Sequence, residues 1–88
     1  MLTEVNRYLV TRDQATNRHS VRVFTTEQGN MVALDQTLDG VPPFFYAYHI
    51  RDGISSVVHK PIMVDGSQCW GDGLTWPQAI QKLTEALA

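Results

Sequence analysis

Over the first two thirds of the chain, apolar and polar residues alternate with a period of two. The runs are short, rich in β-branched and aromatic side chains, and broken by Gly, Asn, Asp and Pro. This pattern predicts strands near Val5 to Val10, Ser20 to Thr26, Met31 to Gln36, Phe44 to Ile50 and Ser55 to Lys60, with a short extension over Ile62 to Val64. After Gly73 the period changes. Trp76, Ile80, Leu83 and Leu87 recur at spacings of four, three and four, the apolar stripe of an α-helix. Thr75 and Gln78 have the spacing of a capping box, in which hydroxyl and amide each satisfy a backbone N–H at the helix start. Pro77 falls in the first turn, where its missing donor costs nothing.

Turn chemistry suggests how the strands pair. A two-residue turn at Gly29-Asn30 places Val23 opposite Gln36 and Thr25 opposite Leu34. That register gathers Val21, Val23, Val32 and Leu34 on one face and Arg22, Thr26 and Asp35 on the other, with Phe24 an apolar exception on the polar side. A second two-residue turn at Asp52-Gly53 pairs Tyr48 with Val57 and Tyr46 with His59. It puts Phe44, Tyr46, Tyr48, Ile50, Val57 and His59 on one face, and Phe45, Ala47, His49, Ser56, Val58 and Lys60 on the other. The expected fold is α+β: a mainly antiparallel sheet of four to five strands, built from two hairpin units, with one C-terminal helix packed on one face. The helical stripe is expected to meet Val21, Val23, Val32 and Leu34.

Composition narrows the function. Eighty-eight residues suit one domain with a modest core. A chain 43% hydrophobic and 18% charged is globular rather than disordered. A net charge of -2 lacks the clustered cations that nucleic acids and anionic membranes attract. No apolar run approaches the length of a membrane span, and the N-terminal residues do not read as a signal peptide. With Cys69 the single cysteine, a reducing cytoplasm is expected.

Catalytic patterns are weak. His19, His49, His59 and Cys69 have no metal-ligand spacing, so neither a metal nor a cofactor is expected. Cys69, beside Trp70 in a Gly-rich loop, reads as a buried small residue next to a packed indole. Asp65 and Asp72, each followed by Gly, read as turn formers rather than acids or bases. The aromatic run Phe44 to His49 resembles a base-stacking surface, but the cations that such a surface needs are missing. In outline, the strand–turn–strand around Asp52-Gly53, then Gly71-Asp72 and a helix ending in Glu85-Ala86-Leu87, resembles the β-β-α tail of HicB-type antitoxins. It covers under half of the chain, and no functional residue is carried over from it.

One helix covers one face of such a sheet, which leaves aromatic residues on the other. The expectation is therefore a non-enzymatic protein acting by protein–protein contact, as a homodimer or as an adaptor or inhibitor of a larger partner. The contact or ligand candidates are Phe44, Phe45, Tyr46, Tyr48, His59 and Trp70. The alternative is a small-molecule pocket, open to catalysis, between helix and sheet, lined by Tyr46, Tyr48, His59, Cys69 and Trp70.

Overall fold

The computed structural model of the chain describes residues 1–12, 17–39, 43–50 and 60–88. Five strands, β1 (Thr3–Arg12), β2 (Asn17–Thr25), β3 (Met31–Thr37), β4 (Phe45–Ile50) and β5 (Lys60–Ile62), form one antiparallel sheet in chain order, followed by α1 (Trp76–Ala86). This is the α+β fold with a single C-terminal helix that the alternation and the change of period predict. The Asp52-Gly53 turn, and with it Val57 and His59, lies outside the described residues.

The β2–β3 register differs from the expected one. Val23 faces Ala33 and Thr25 faces Met31, so the pairing is displaced by three residues from Val23 opposite Gln36. The loop holds three residues rather than two. Thr26 N–H donates to Asn30 O at 2.8 Å, Gly29 N–H donates to Thr26 O at 3.0 Å, and Gly29 takes φ +84° in the left-handed region that closes such a loop. An odd displacement moves one strand's side chains to the opposite face. Val32 and Leu34 therefore lie under the helix together with Phe24, while Val21 and Val23 lie on the other side. Phe24 is thus no exception but part of the helix-side core.

The β4–β5 pairing is also displaced. Tyr48 faces Pro61 rather than Val57, and His49 faces Lys60. An even displacement keeps the alternation, and it brings Ile62 opposite Ala47, where both are buried. After β5 the chain turns at Asp65-Gly66, both at positive φ. Val64 and Ser67 exchange backbone hydrogen bonds of 3.0 Å across this two-residue turn. Asp72-Gly73 forms the next turn, closed by Leu74 N–H donating to Gly71 O at 2.9 Å. Both aspartates are turn formers, as their sequence suggests.

The helix starts as its caps predict. Thr75 N–H donates to Gln78 Oε1 at 2.9 Å, and Gln78 N–H donates back to Thr75 Oγ1 at 3.4 Å. Ala79 and Leu83 are fully buried, flanked by half-buried Trp76, Ile80 and Leu87. They cover Phe24, Val32, Leu34, Phe45, Ala47 and Ile62. Trp70 fills the end of this layer, stacked on Phe45 at 5.8 Å, while Trp76 meets the edge of Phe45 at 5.0 Å. The helix-side core draws on β2 to β5, and β1 lends it no residue of its own.

Candidate functional site

The helix-free face is built in cross-strand rows. Tyr8, Val21, Asp35 and Tyr46 form one row, and Asn6, Val23, Ala33, Tyr48 and Pro61 the next. His19 lies beside the first row, paired with Val10 and Thr37. Val21, Val23, Ala33 and Tyr48 are buried, with Val10, Met31, Tyr46 and Ile50 packed against them. The face expected to be open is therefore closed at Tyr48, which is 5% exposed, and half-closed at Tyr46.

The other candidates separate. Phe45 and Trp70 sit under the helix, on the far side of the sheet from Tyr46 and Tyr48, and Cys69 is exposed. The pocket drawn between helix and sheet from Tyr46, Tyr48, His59, Cys69 and Trp70 is thus not assembled. The sheet divides its described members, and Phe45, Leu34 and Leu83 fill the helix–sheet space. Cys69 is not the buried residue expected, because only Trp70, its neighbour, turns inward against Phe45. Phe44 is half-buried, and its backbone ties β3 to β4: Thr37 N–H donates to Phe44 O at 3.0 Å. His59 lies outside the described residues.

The structure also assembles a pair that the sequence reading missed. His19 Nδ1 lies 2.7 Å from Asp35 Oδ1, with both residues buried, and the His19 ring meets Tyr46 edge-on at 6.4 Å. In the tautomer that carries its proton on Nδ1, the ring donates to the Asp35 carboxyl across this contact. Neither Nε2 nor Asp35 Oδ2 has a hydrogen-bond partner among the described residues. Sixteen positions separate the two residues. Only the β2–β3 register brings them together. Among the described residues no group of three or more His, Cys, Asp or Glu could hold a metal ion.

The second surface is β1, an edge strand bonded among the described residues to β2 alone. A bulge between Glu4 and Asn6 inserts Val5 and puts Glu4 and Arg7 on one face, where the guanidinium donates to both carboxylate oxygens at 2.6 and 2.9 Å. That hydrogen bond holds the Glu4 carboxyl below its ordinary range. From Asn6 to Arg12 the strand is regular. Leu9 is 74% exposed, Val5 51% and Tyr8 41%. Arg22, next to Arg7 across the strands, stacks over Trp76 at 4.1 Å and marks where helix cover ends.

The direction of the free backbone groups on β1 follows from the bonds around it. Arg18 O accepts from Leu38 N–H, and Thr26 N–H donates to Asn30 O, so the even residues of β2 point towards β3. Its odd residues then point towards β1, where they meet Asn6, Tyr8, Val10 and Arg12. Arg7, Leu9 and Thr11 therefore direct N–H and C=O away from the sheet. Consistently, Arg7 N–H is taken not by β2 but by the Asn6 side chain, at 2.9 Å.

The opposite edge is different. Phe45 N–H bonds Trp70 O, so the odd residues of β4 face β5. Pro61, opposite the even residue Tyr48, occupies the one position of three-residue β5 whose N–H would point outward, and it has none. Among the described residues no helix is long and apolar enough to cross a membrane. Comparisons with protein-family models, with curated proteins and with solved structures find no match to this chain.

Proposed function

We propose that this protein acts through protein–protein contact, and that β1 is the strand on which a partner docks. The observation that carries the reading is the outward row Arg7, Leu9 and Thr11 beside the exposed side chains of Tyr8 and Leu9. An unpaired strand edge offers a partner main-chain hydrogen bonds, and neighbouring apolar side chains supply the area to be buried. The aromatic face keeps a supporting role: Tyr46 and Tyr48 belong to the buried layer with Val21, Val23 and Ala33 on the helix-free face, against which Val10 of β1 packs. Site-specific photo-crosslinking in cells tests this directly. A photoreactive amino acid at Leu9 should give protein adducts, whereas one at exposed Gln81 on α1 should not. Adducts from position 81 and none from position 9 would place the contact elsewhere.

A second reading rests on the His19–Asp35 pair. A buried imidazole oriented by a carboxylate, with Nε2 unpartnered among the described residues, can bind or relay a proton for a small molecule. Nitrogen-15 imidazole spectra of a His19-labelled sample, recorded against a metabolite library, test it. A library that leaves the Nε2 resonance unmoved would remove this reading.

A further inference from the structure

We infer that the partner on β1 is a second copy of this chain, paired antiparallel to the first about a two-fold axis at Leu9. The inference rests on the docking role proposed for β1. The edge is self-complementary in one register above others. Its regular stretch runs from Asn6, where the bulge ends, to Arg12, and its midpoint is Leu9. A two-fold axis there uses the whole stretch. It sets Leu9 opposite Leu9 of the other copy, Tyr8 opposite Val10, and Arg7 opposite Thr11.

Arg7, Leu9 and Thr11 direct their backbone groups outward, so Leu9 exchanges both hydrogen bonds with Leu9 of the other copy and Thr11 N–H donates to Arg7 O, while Arg7 N–H stays on the Asn6 side chain. The same register buries Leu9, 74% exposed in the single copy and flanked by an open depression between Arg7, Ser20 and Arg22. An axis at Arg7 would bring two guanidinium groups together, and an axis at Tyr8 would set Arg7 against Leu9; neither uses the full stretch. Pairing β1 with β5 of another copy would build an open chain of molecules, but Pro61 removes the donor in the middle of β5. Closure by β1 with β1 remains. The Asn6 side chain on Arg7 N–H, with the bulge at Val5, blunts the N-terminal end of the edge and leaves Leu9 and Thr11 as its outward donors.

Absolute mass by light scattering across about a hundredfold range of concentration tests this, with wild type, Leu9→Pro and Leu9→Lys compared. Proline at position 9 removes an outward donor from each copy without touching the bonds to β2, so it should weaken dimerisation about tenfold or more. Leu9→Lys should do likewise by charge repulsion at the axis, and its exposed site spares the fold, as circular dichroism would confirm. A concentration-dependent dimer lost in both variants supports the inference. A wild-type monomer at every concentration overturns self-pairing, while the photo-crosslinking experiment separately decides whether β1 receives some other protein. A dimer unchanged in both variants overturns it too, and places self-association on another surface.

Discussion

Phe24→Ala separates two registers of the same hairpin. In the structure Phe24 is 3% exposed and belongs to the layer beneath α1 with Val32, Leu34 and Leu83. Removing a buried phenylalanine ring loses its transfer free energy and leaves a cavity, together about 3 to 5 kcal/mol. A chain of 88 residues has a total stability of roughly 4 to 13 kcal/mol at ~0.05 to 0.15 kcal/mol per residue, so the variant should be marginal. At ~4 to 8 °C per kcal/mol, Tm should fall by at least about 12 °C. Urea unfolding gives the loss from the shift in midpoint, provided that the slope is unchanged. In a two-residue Gly29-Asn30 turn the same ring would stand on the polar face, and truncation there would cost about 0.5 kcal/mol or less. A measured loss below about 1 kcal/mol would refute the three-residue loop and everything placed by it, including the His19–Asp35 pair.

Other consequences are smaller and independent. Leu83→Ala, at a fully buried helix position, should cost about 2 to 5 kcal/mol by the same urea assay, and less than about 1 kcal/mol would mean the stripe is not core. Gly71→Ala should destabilise more than Gly66→Ala. Both have positive φ, which costs roughly 1 to 2 kcal/mol with a side chain, but at Gly71 a Cβ would also lie 2.8 Å from Phe45 Cδ2. Equal losses would show that Phe45 does not press on this turn. The Asp39 carboxyl accepts from both the Arg18 side chain and its backbone N–H, which hold its pKa below the ordinary 3.8. A depressed carboxylate stabilises the fold above its unfolded pKa and loses that contribution as the pH falls through the folded value. Asp39→Asn should therefore lower Tm at neutral pH, and the gap should begin to close near pH 3.8 and vanish once the pH is below the depressed folded value. A gap that persists in acid would assign the effect to something other than charge. Exposed Cys69 should react with a thiol reagent in the folded state as completely as in urea.

The helix was legible because its signals are local: the stripe, the capping box and Pro77 lie within one segment, and each position is fixed by its neighbours. Strand existence was equally plain, since alternation needs no knowledge of the partner. Register was not legible, because a single added loop residue decides which face every side chain of β3 takes. Gly29-Asn30 satisfies two loop lengths, with Gly29 left-handed in either. The structure chooses the loop that puts Phe24, Val32 and Leu34 together beneath the helix, a gain that depends on residues fifty positions away. His19 and Asp35 looked like ordinary polar strand residues for the same reason. Cys69 was misplaced because Trp70 alone faces the core. β1 reads in sequence as one more half-buried strand, and its open edge emerges only from the strand order and from the bonds that turn Arg7, Leu9 and Thr11 outward.

Residue-resolved amide hydrogen exchange by NMR, at dilute and concentrated protein, tests most directly whether β1 is an open edge used for contact. Tyr8 and Val10 should exchange slowly in both samples, because β2 holds their N–H groups. Leu9 and Thr11 should exchange fast in the dilute sample, slowing when the protein is concentrated. Leu9 and Thr11 amides that exchange at the same rate in both samples, while Tyr8 and Val10 stay protected, would contradict self-pairing at this edge. Protection of Leu9 in a sample shown to be monomeric would contradict the open edge itself.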